Sequence, residues 1–139
     1  TFSNIRAASS VPIATGEHVY SRWQTKELLV QGAVDVLQND PDWTGGISEL
    51  VKICALASAF DTPLVAHGHS LLPALHVAGA QPASVVPRVE FLIRGQESKQ
   101  FFHAPIYRPE NGCVVLPKLS GLGLVLDESK VERREAVTF

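Results

Sequence analysis

Cysteine is scarce in this sequence. Cys54 and Cys113 are the two among 139 residues, a weak basis for a disulfide framework. Cys54 sits in an apolar helical run and reads as a buried small hydrophobe, so a reducing, cytoplasmic setting is expected. A clustered basic surface is missing as well. The formal charge is -2, and nucleic acid is therefore not an expected partner. No apolar run reaches the ~18 residues a membrane helix needs, so no membrane partner is expected. Residues 1–10 show neither the basic start nor the apolar run of a signal peptide. No internal repeat or low-complexity segment stands out.

What the sequence has is apolar patterning. Hydrophobic residues make up 45% and charged ones 19%, which suits a packed core in one domain. The organising stretch is Leu64-Val65-Ala66-His67-Gly68-His69-Ser70. It reads as a short apolar strand that ends on a histidine and breaks at a glycine. Three other short strands end on acids: Glu17 after Gly16, Asp40 after Asn39, and Glu90 after Val89.

Taken in order, residues 1–8 read as the end of a helix closed by Ser9-Ser10, and 11–15 as a buried strand. Ser21 is the expected N-cap of a helix reaching about Gln31, with Gly32 as its stop. Residues 34–38 form the second strand, and 39–46 a loop rich in turn formers. The strongest helix is 47–60. Ile47, Leu50, Val51, Cys54, Ala57 and Ser58 share one stripe, and Ile53, Leu56 and Phe60 widen it, so burial around much of its circumference is expected. Residues 63–66 are the third strand. Ser70 is the expected cap of a helix over 71–79, and 85–93 contain the fourth strand. Beyond that, 95–100 are polar and 101–107 extended. Asn111-Gly112 signals a hairpin turn with 113–116 returning, and 127–134 form a charged helix or tail.

Strands alternating with helices point to an α/β fold with a parallel sheet. Acids and a histidine at the ends of successive strands are the habit of a (β/α) barrel. Four βα units cannot close an eight-stranded barrel of ~250 residues, and alone they would expose two long edges. The expectation is the C-terminal half of a (β/α) barrel over residues 1–94, followed by a hairpin and tail over 95–139. The chain is expected to be a piece of a longer polypeptide, with an N-terminal remainder as its partner.

With these residues laid out, the chain resembles the C-terminal part of the mandelate racemase/muconate lactonizing enzyme branch of the enolase superfamily. The matching pieces are Ala14-Thr15-Gly16-Glu17-His18, Asn39-Asp40-Pro41-Asp42-Trp43-Thr44-Gly45-Gly46-Ile47, His67, Val89-Glu90-Phe91 and Gly121-Leu122-Gly123-Leu124. Gly16-Glu17-His18 with Arg22-Trp23 is most similar to acid-sugar dehydratases of the rhamnonate type. The resemblance implies a capping domain on which the C-terminal extension packs, and a homo-oligomer. It also implies Mg²⁺ held by three carboxylates, of which Glu17 is the last, and a His67–Asp40 pair with Glu90 beside the substrate carboxylate.

The implied chemistry is removal of the proton next to a carboxylate, followed by dehydration of a sugar acid to a 2-keto-3-deoxy acid. Mg²⁺ supplies charge opposite the developing oxyanion. His67 takes the proton, Asp40 fixes its tautomer, and Glu90 donates a hydrogen bond to the enolate. His18, His69 and Trp43 are the expected substrate contacts, although His69 departs from the small residue expected in a dehydratase loop. Racemase or cycloisomerase chemistry would use the same residues. Each residue also has a plainer reading: Glu17 as a rim carboxylate, His67 as a core histidine, Asp40 as a turn former, Trp43 as core packing. Two rival functions stand beside this one. His67 and His69 could jointly ligate Zn²⁺ or Fe²⁺, or the chain could be a non-catalytic partial barrel that needs a partner chain.

Overall fold

A computed structural model describes residues 1–137. The first helix, α1 (Phe2–Ala8), begins at Thr1, whose hydroxyl accepts from the Asn4 amide at 3.4 Å. Arg6 on α1 pairs with Asp35 at 2.7 Å, and Asp35 Oδ2 accepts the Ile13 N–H at 2.8 Å. The Ile13 amide and then the Arg6 guanidinium hold the Asp35 carboxyl below the ordinary carboxylate range. Together they pin α1 to the start of β1 (Ala14–Thr15).

β1 pairs in parallel with β2 (Val36–Leu37), with Ala14 opposite Val36 and Thr15 opposite Leu37. β3 (Val65–Ala66) pairs in parallel with β4 (Arg88–Val89). A parallel bridge from Leu37 to Leu64 joins the two ladders. Four strands therefore follow one another in chain order and in one direction, as the βα alternation predicts. Each is shorter than its apolar run. The pairing is stepped: Leu37 N donates to Pro63 O at 3.0 Å and Leu64 N to Val85 O at 2.8 Å. Each strand thus shares only a few peptides with each neighbour.

The helices α2 (Ser21–Val30), α4 (Ile47–Ala59) and α5 (Leu71–Gly79) pack in sequence, α2 on α4 and α4 on α5. Between helices and strands lies one core that includes Leu29, Leu37, Leu50, Ile53, Leu64 and Val77. Gly32 ends α2 at φ +55, as expected. Ser21 is not its cap. It is the first helical residue, at φ +62, and the Tyr20 N–H at the cap position is taken by Gln24 Oε1 at 2.8 Å.

The loop over 39–46 contains a short helix, α3 (Pro41–Thr44). Asp40 caps it through Oδ1, Pro41 opens it, and Gly45 at φ +112 stops it. The long helix α4 buries Leu50, Ile53, Cys54 and Ala57, while Val51, Ser58 and Phe60 face solvent. It is buried on one face and not around its circumference: one side meets the strands, and Val51, Lys52, Ala55 and Ser58 are exposed. Cys54 is fully buried and Cys113 exposed, and both are free thiols.

Past β4, the polar stretch forms a four-residue helix, α6 (Gln96–Lys99). Asn111 and Gly112 both take positive φ, and Glu110 bridges Cys113 across them. Residues 113–116 add no strand beyond that bridge, since Pro109 and Pro117 flank the turn and cannot donate to a ladder. The expected terminal helix is one 3₁₀ turn, Glu128–Lys130. Positions 138 and 139 of the expected tail lie outside the described residues. Phe101, Phe102, Leu116, Leu119, Leu124 and Leu126 are exposed along this segment. No described helix is long and apolar enough to cross a membrane.

Candidate functional site

Glu17 follows β1, Asp40 stands three residues beyond β2, and His67 and Glu90 directly follow β3 and β4. Because the strands are parallel and neighbouring, all four residues sit past the C-terminal ends of one set of strands.

Asp40 has no exposed surface. Its Oδ1 accepts the Asp42 N–H at 2.9 Å. Its Oδ2 accepts the amides of His69 at 3.1 Å and Ser70 at 3.2 Å, and lies 3.2 Å from His67 Nδ1. Every partner of this carboxylate is a nitrogen. The backbone amides can only donate, so Asp40 is an acceptor throughout, and His67 Nδ1 carries the proton toward it. The other ring nitrogen, Nε2, makes no hydrogen bond among the described residues. Nε2 lies 3.9 Å from Glu90 Oε2, close but beyond hydrogen-bond length. Glu90 Oε2 is itself buried without a hydrogen-bond partner. The His67 side chain keeps 22% of its surface exposed, so solvent or a small molecule can reach the ring.

Gly68 lets this happen. A Cβ at Gly68 would stand 2.5 Å from the Glu90 carbonyl oxygen and 3.2 Å from Leu92 N. Only a residue without a side chain lets the histidine loop lie directly against the chain that carries Glu90.

Glu17 is half-buried, and no ion pair among the described residues engages it. It offers the hard oxygen that Mg²⁺ prefers. The donor set of this chain therefore fits one magnesium ligand at Glu17. A different trio, Asp40, Asp42 and His69, brings its donor atoms within 4.8 Å of one another. These atoms are already engaged: His69 Nδ1 with Asp42 Oδ2 at 2.8 Å, and Ser70 Oγ donating to Asp42 Oδ1 at 2.6 Å. The trio is a hydrogen-bonded network. His67 and His69 each turn Nδ1 to a different aspartate, so those two nitrogens do not converge as a ligand pair.

The remaining expected contacts gather at one side. The Trp43 ring lies 4.9 Å from His18 and 5.9 Å from His69, with Tyr20 at 6.5 Å. His18 and Trp43 are exposed, so Trp43 is a wall at the rim and not core packing.

Several residues of this site escape sequence reasoning. Ser70 does not cap α5 with its hydroxyl, which is spent on Asp42. Gln96, buried on α6, donates through Nε2 to the Gly68 carbonyl. Gln100, also buried, donates to Gln96 Oε1 at 3.2 Å and to Tyr107 O at 2.9 Å, and accepts Tyr107 N at 2.8 Å. The Tyr107 hydroxyl donates to Gly123 O at 2.7 Å. A buried polar chain thus runs from the C-terminal segment to the peptide between His67 and His69. A glutamine pair four residues apart on a helix was the one available signal. Beside this chain is a cavity of about 300 Å³ lined by Asp42, His69, Lys99, His103, Leu122 and Leu124, among others. His76 Nε2 meets Leu122 O at 3.1 Å, and burial lowers the pKa of His103.

Residues 1–130 match the family model described as "Enolase C-terminal domain-like". Among characterised relatives, the chain is 36% identical over 126 residues to an arabinonate dehydratase of Saccharolobus solfataricus, covering 88% of this chain and 33% of that protein. It is 33% identical to a D-galactonate dehydratase of Ralstonia pickettii, covering 96% of this chain and 37% of the relative. The chain thus spans about a third of the length of the relatives it matches. A solved member of the enolase superfamily from Salmonella Typhimurium superposes with a TM-score of 0.77 at 30% identity, over 92% of this chain and 33% of that one. A mandelate racemase/muconate lactonizing enzyme from a marine actinobacterium, solved in complex with magnesium, superposes with a TM-score of 0.78 at 24% identity, over 92% and 36%. At that identity the second likeness speaks to the fold.

Proposed function

The chain belongs to the enolase C-terminal domain-like family, and from that premise we propose that it carries the acid–base rim of a Mg²⁺-dependent acid-sugar dehydratase. Its α/β fold is part of a (β/α) barrel, and its relatives at 36% and 33% identity are named sugar-acid dehydratases. The observation that carries the reading is the His67–Asp40 pair, with His67 Nε2 free and facing Glu90.

In this reading the substrate is a sugar acid. His67 Nε2 takes the proton from the carbon next to its carboxylate, and Asp40 stabilises the imidazolium that forms. Glu90 stands beside the developing enolate as its hydrogen-bond partner. Mg²⁺, when bound, would supply positive charge to stabilise that oxyanion, and Glu17 is the residue of this chain that would hold it. His67 then returns the proton to the departing β-hydroxyl. The C–O bond breaks, water leaves, and the enol product tautomerises to a 2-keto-3-deoxy acid. General acid–base help of this kind is worth about 10²–10⁴-fold. His18, Trp43 and His69 form a wall of rings suited to the apolar face and hydroxyls of a sugar.

Residues 1–94 are the partial barrel and 95–139 an extension that docks on further chain. The exposed apolar side chains between Phe101 and Leu126 support that docking. A cytoplasmic homo-oligomer suits the two free cysteines and the metabolic role. The test uses the full-length protein and a panel of sugar acids. The expected result is a 2-keto-3-deoxy product that disappears in His67→Asn. Undiminished product from that variant overturns the reading.

A further inference from the structure

Asn39 has no exposed surface and stands between Glu17 and His67 in the strand order. Its Nδ2 donates to the Gly16 carbonyl at 3.3 Å and to Thr25 Oγ1 at 3.1 Å. Thr25 Oγ1 donates its own proton to Ser21 O at 3.1 Å, so toward Asn39 it can only accept. That settles the amide orientation: the nitrogen faces Thr25 and Gly16. Oδ1 is buried without a hydrogen-bond partner, 3.7 Å from where a Cβ on Gly16 would stand. The main-chain carbonyl of Asn39 accepts the His67 N–H at 3.4 Å.

Gly16 is buried with φ +131, a conformation few other residues adopt. The carbonyl that Asn39 grips belongs to the peptide leading into Glu17. The N–H it receives belongs to His67 itself. One residue therefore touches the backbone of both elements, through its side chain on one side and its main chain on the other. A buried asparagine with one oxygen unmatched is costly, and packing alone would favour an apolar residue here.

We propose that Asn39 is a positioning residue that sets the separation of the Glu17 carboxylate from the His67 imidazole. The inference rests on the reading of Glu17 as a metal ligand and His67 as the base. Alanine at 39 would leave the Gly16 carbonyl with the Val19 N–H at 3.1 Å alone, and the Glu17 turn would lose its only side-chain tether among the described residues.

The test compares Asn39→Ala, Asn39→Ser, Thr25→Val and Glu17→Gln in the full-length protein, stripped of metal. Calorimetric titration with Mg²⁺ gives the affinity, the electron paramagnetic resonance of bound Mn²⁺ reports the ligand geometry, and thermal melting reports stability. Asn39→Ala and Asn39→Ser are expected to weaken Mg²⁺ by about 10-fold or more, within the range for residues that orient metal ligands, and to broaden the Mn²⁺ signal. Thr25→Val removes a neighbouring contact but leaves Gly16 held. It is expected to lower Tm with Mg²⁺ affinity within about 2-fold of the parent. Should both Asn39 variants melt lower but bind Mg²⁺ as the parent does, while Glu17→Gln does not, Asn39 is structural only and the proposal falls. Parental Mg²⁺ affinity in Glu17→Gln sinks the metal reading itself, and this inference with it.

Discussion

Asp40 Oδ2 and His67 Nδ1 lie 3.2 Å apart across 27 positions of sequence. The same oxygen accepts the amides of His69 and Ser70. The imidazole is thus oriented by an atom that is itself fixed by backbone. Asp40→Asn turns an acceptor into an amide whose NH₂ opposes those donors. In the full-length protein, kcat for the proposed dehydration is expected to drop by about 10²–10⁴-fold. The double variant Asp40→Asn/His67→Asn should be no slower than the slower single one, because the two act as a unit. Steady-state kinetics on the three proteins checks this, and additive losses would contradict it.

Gly68→Ala tests the close approach of the histidine loop to Glu90. The added methyl has no room against the Glu90 carbonyl, so loop and strand must separate. A loss of about 1–3 kcal/mol, typical of an overpacked interior, is expected. Activity should fall by more than the unfolded fraction explains. Thermal melting and kcat measured on the same preparation separate the two effects.

Gln96→Leu removes the donor to the Gly68 carbonyl, and Gln100→Leu removes the link from Gln96 to Tyr107. The first leaves the Gly68 carbonyl unmatched and the second the part-buried N–H and C=O of Tyr107, each group at about 1–3 kcal/mol or less. The pair should not sum, since both belong to one chain of bonds. Chemical denaturation of the two singles and the double gives the coupling, and strict additivity would show that the chain does not act as one.

Burial pushes the Cys54 thiol up to about 11 from 9.0. The folded state favours the neutral thiol, so its contribution is complete below pH 9.0 and is lost as pH rises toward 11. Cys54→Ala should therefore lose stability less steeply than the parent between those values. At neutral pH, a thiol reagent should modify Cys54 only on unfolding. Denaturation midpoints across alkaline pH and timed labelling test the two halves of this statement.

The acids and the histidine were legible because each ends an apolar run, and a parallel sheet puts such ends together. The helix α4 was legible from its stripe, but its outward side was not. Val51 and Phe60 look like core residues in one dimension, and only the placement of the strands sends them to solvent. Ser21 looked like a cap because serine usually is one; Gln24 reached back and took that amide instead. Asn39 carries no sequence sign of a site role, and Gln96 and Gln100 carry only their four-residue spacing. A buried amide and a solvated one are spelled alike, and what separates them is the partner brought by a distant strand or helix. The short helix α3 is hidden for another reason: four residues carry no periodic stripe, and Asp40 reads as a turn former as readily as a helix cap.

Asp40 serves three masters, and this shapes how the rim can change over generations. Its carboxylate starts a helix, gathers the turn after β3 and aims the imidazole. Position 67 can change without disturbing the helix start or the turn, since that ring is the dependent partner. Position 40 has no such freedom. In a collection of decommissioned cousins, the aspartate should outlive the histidine it once served.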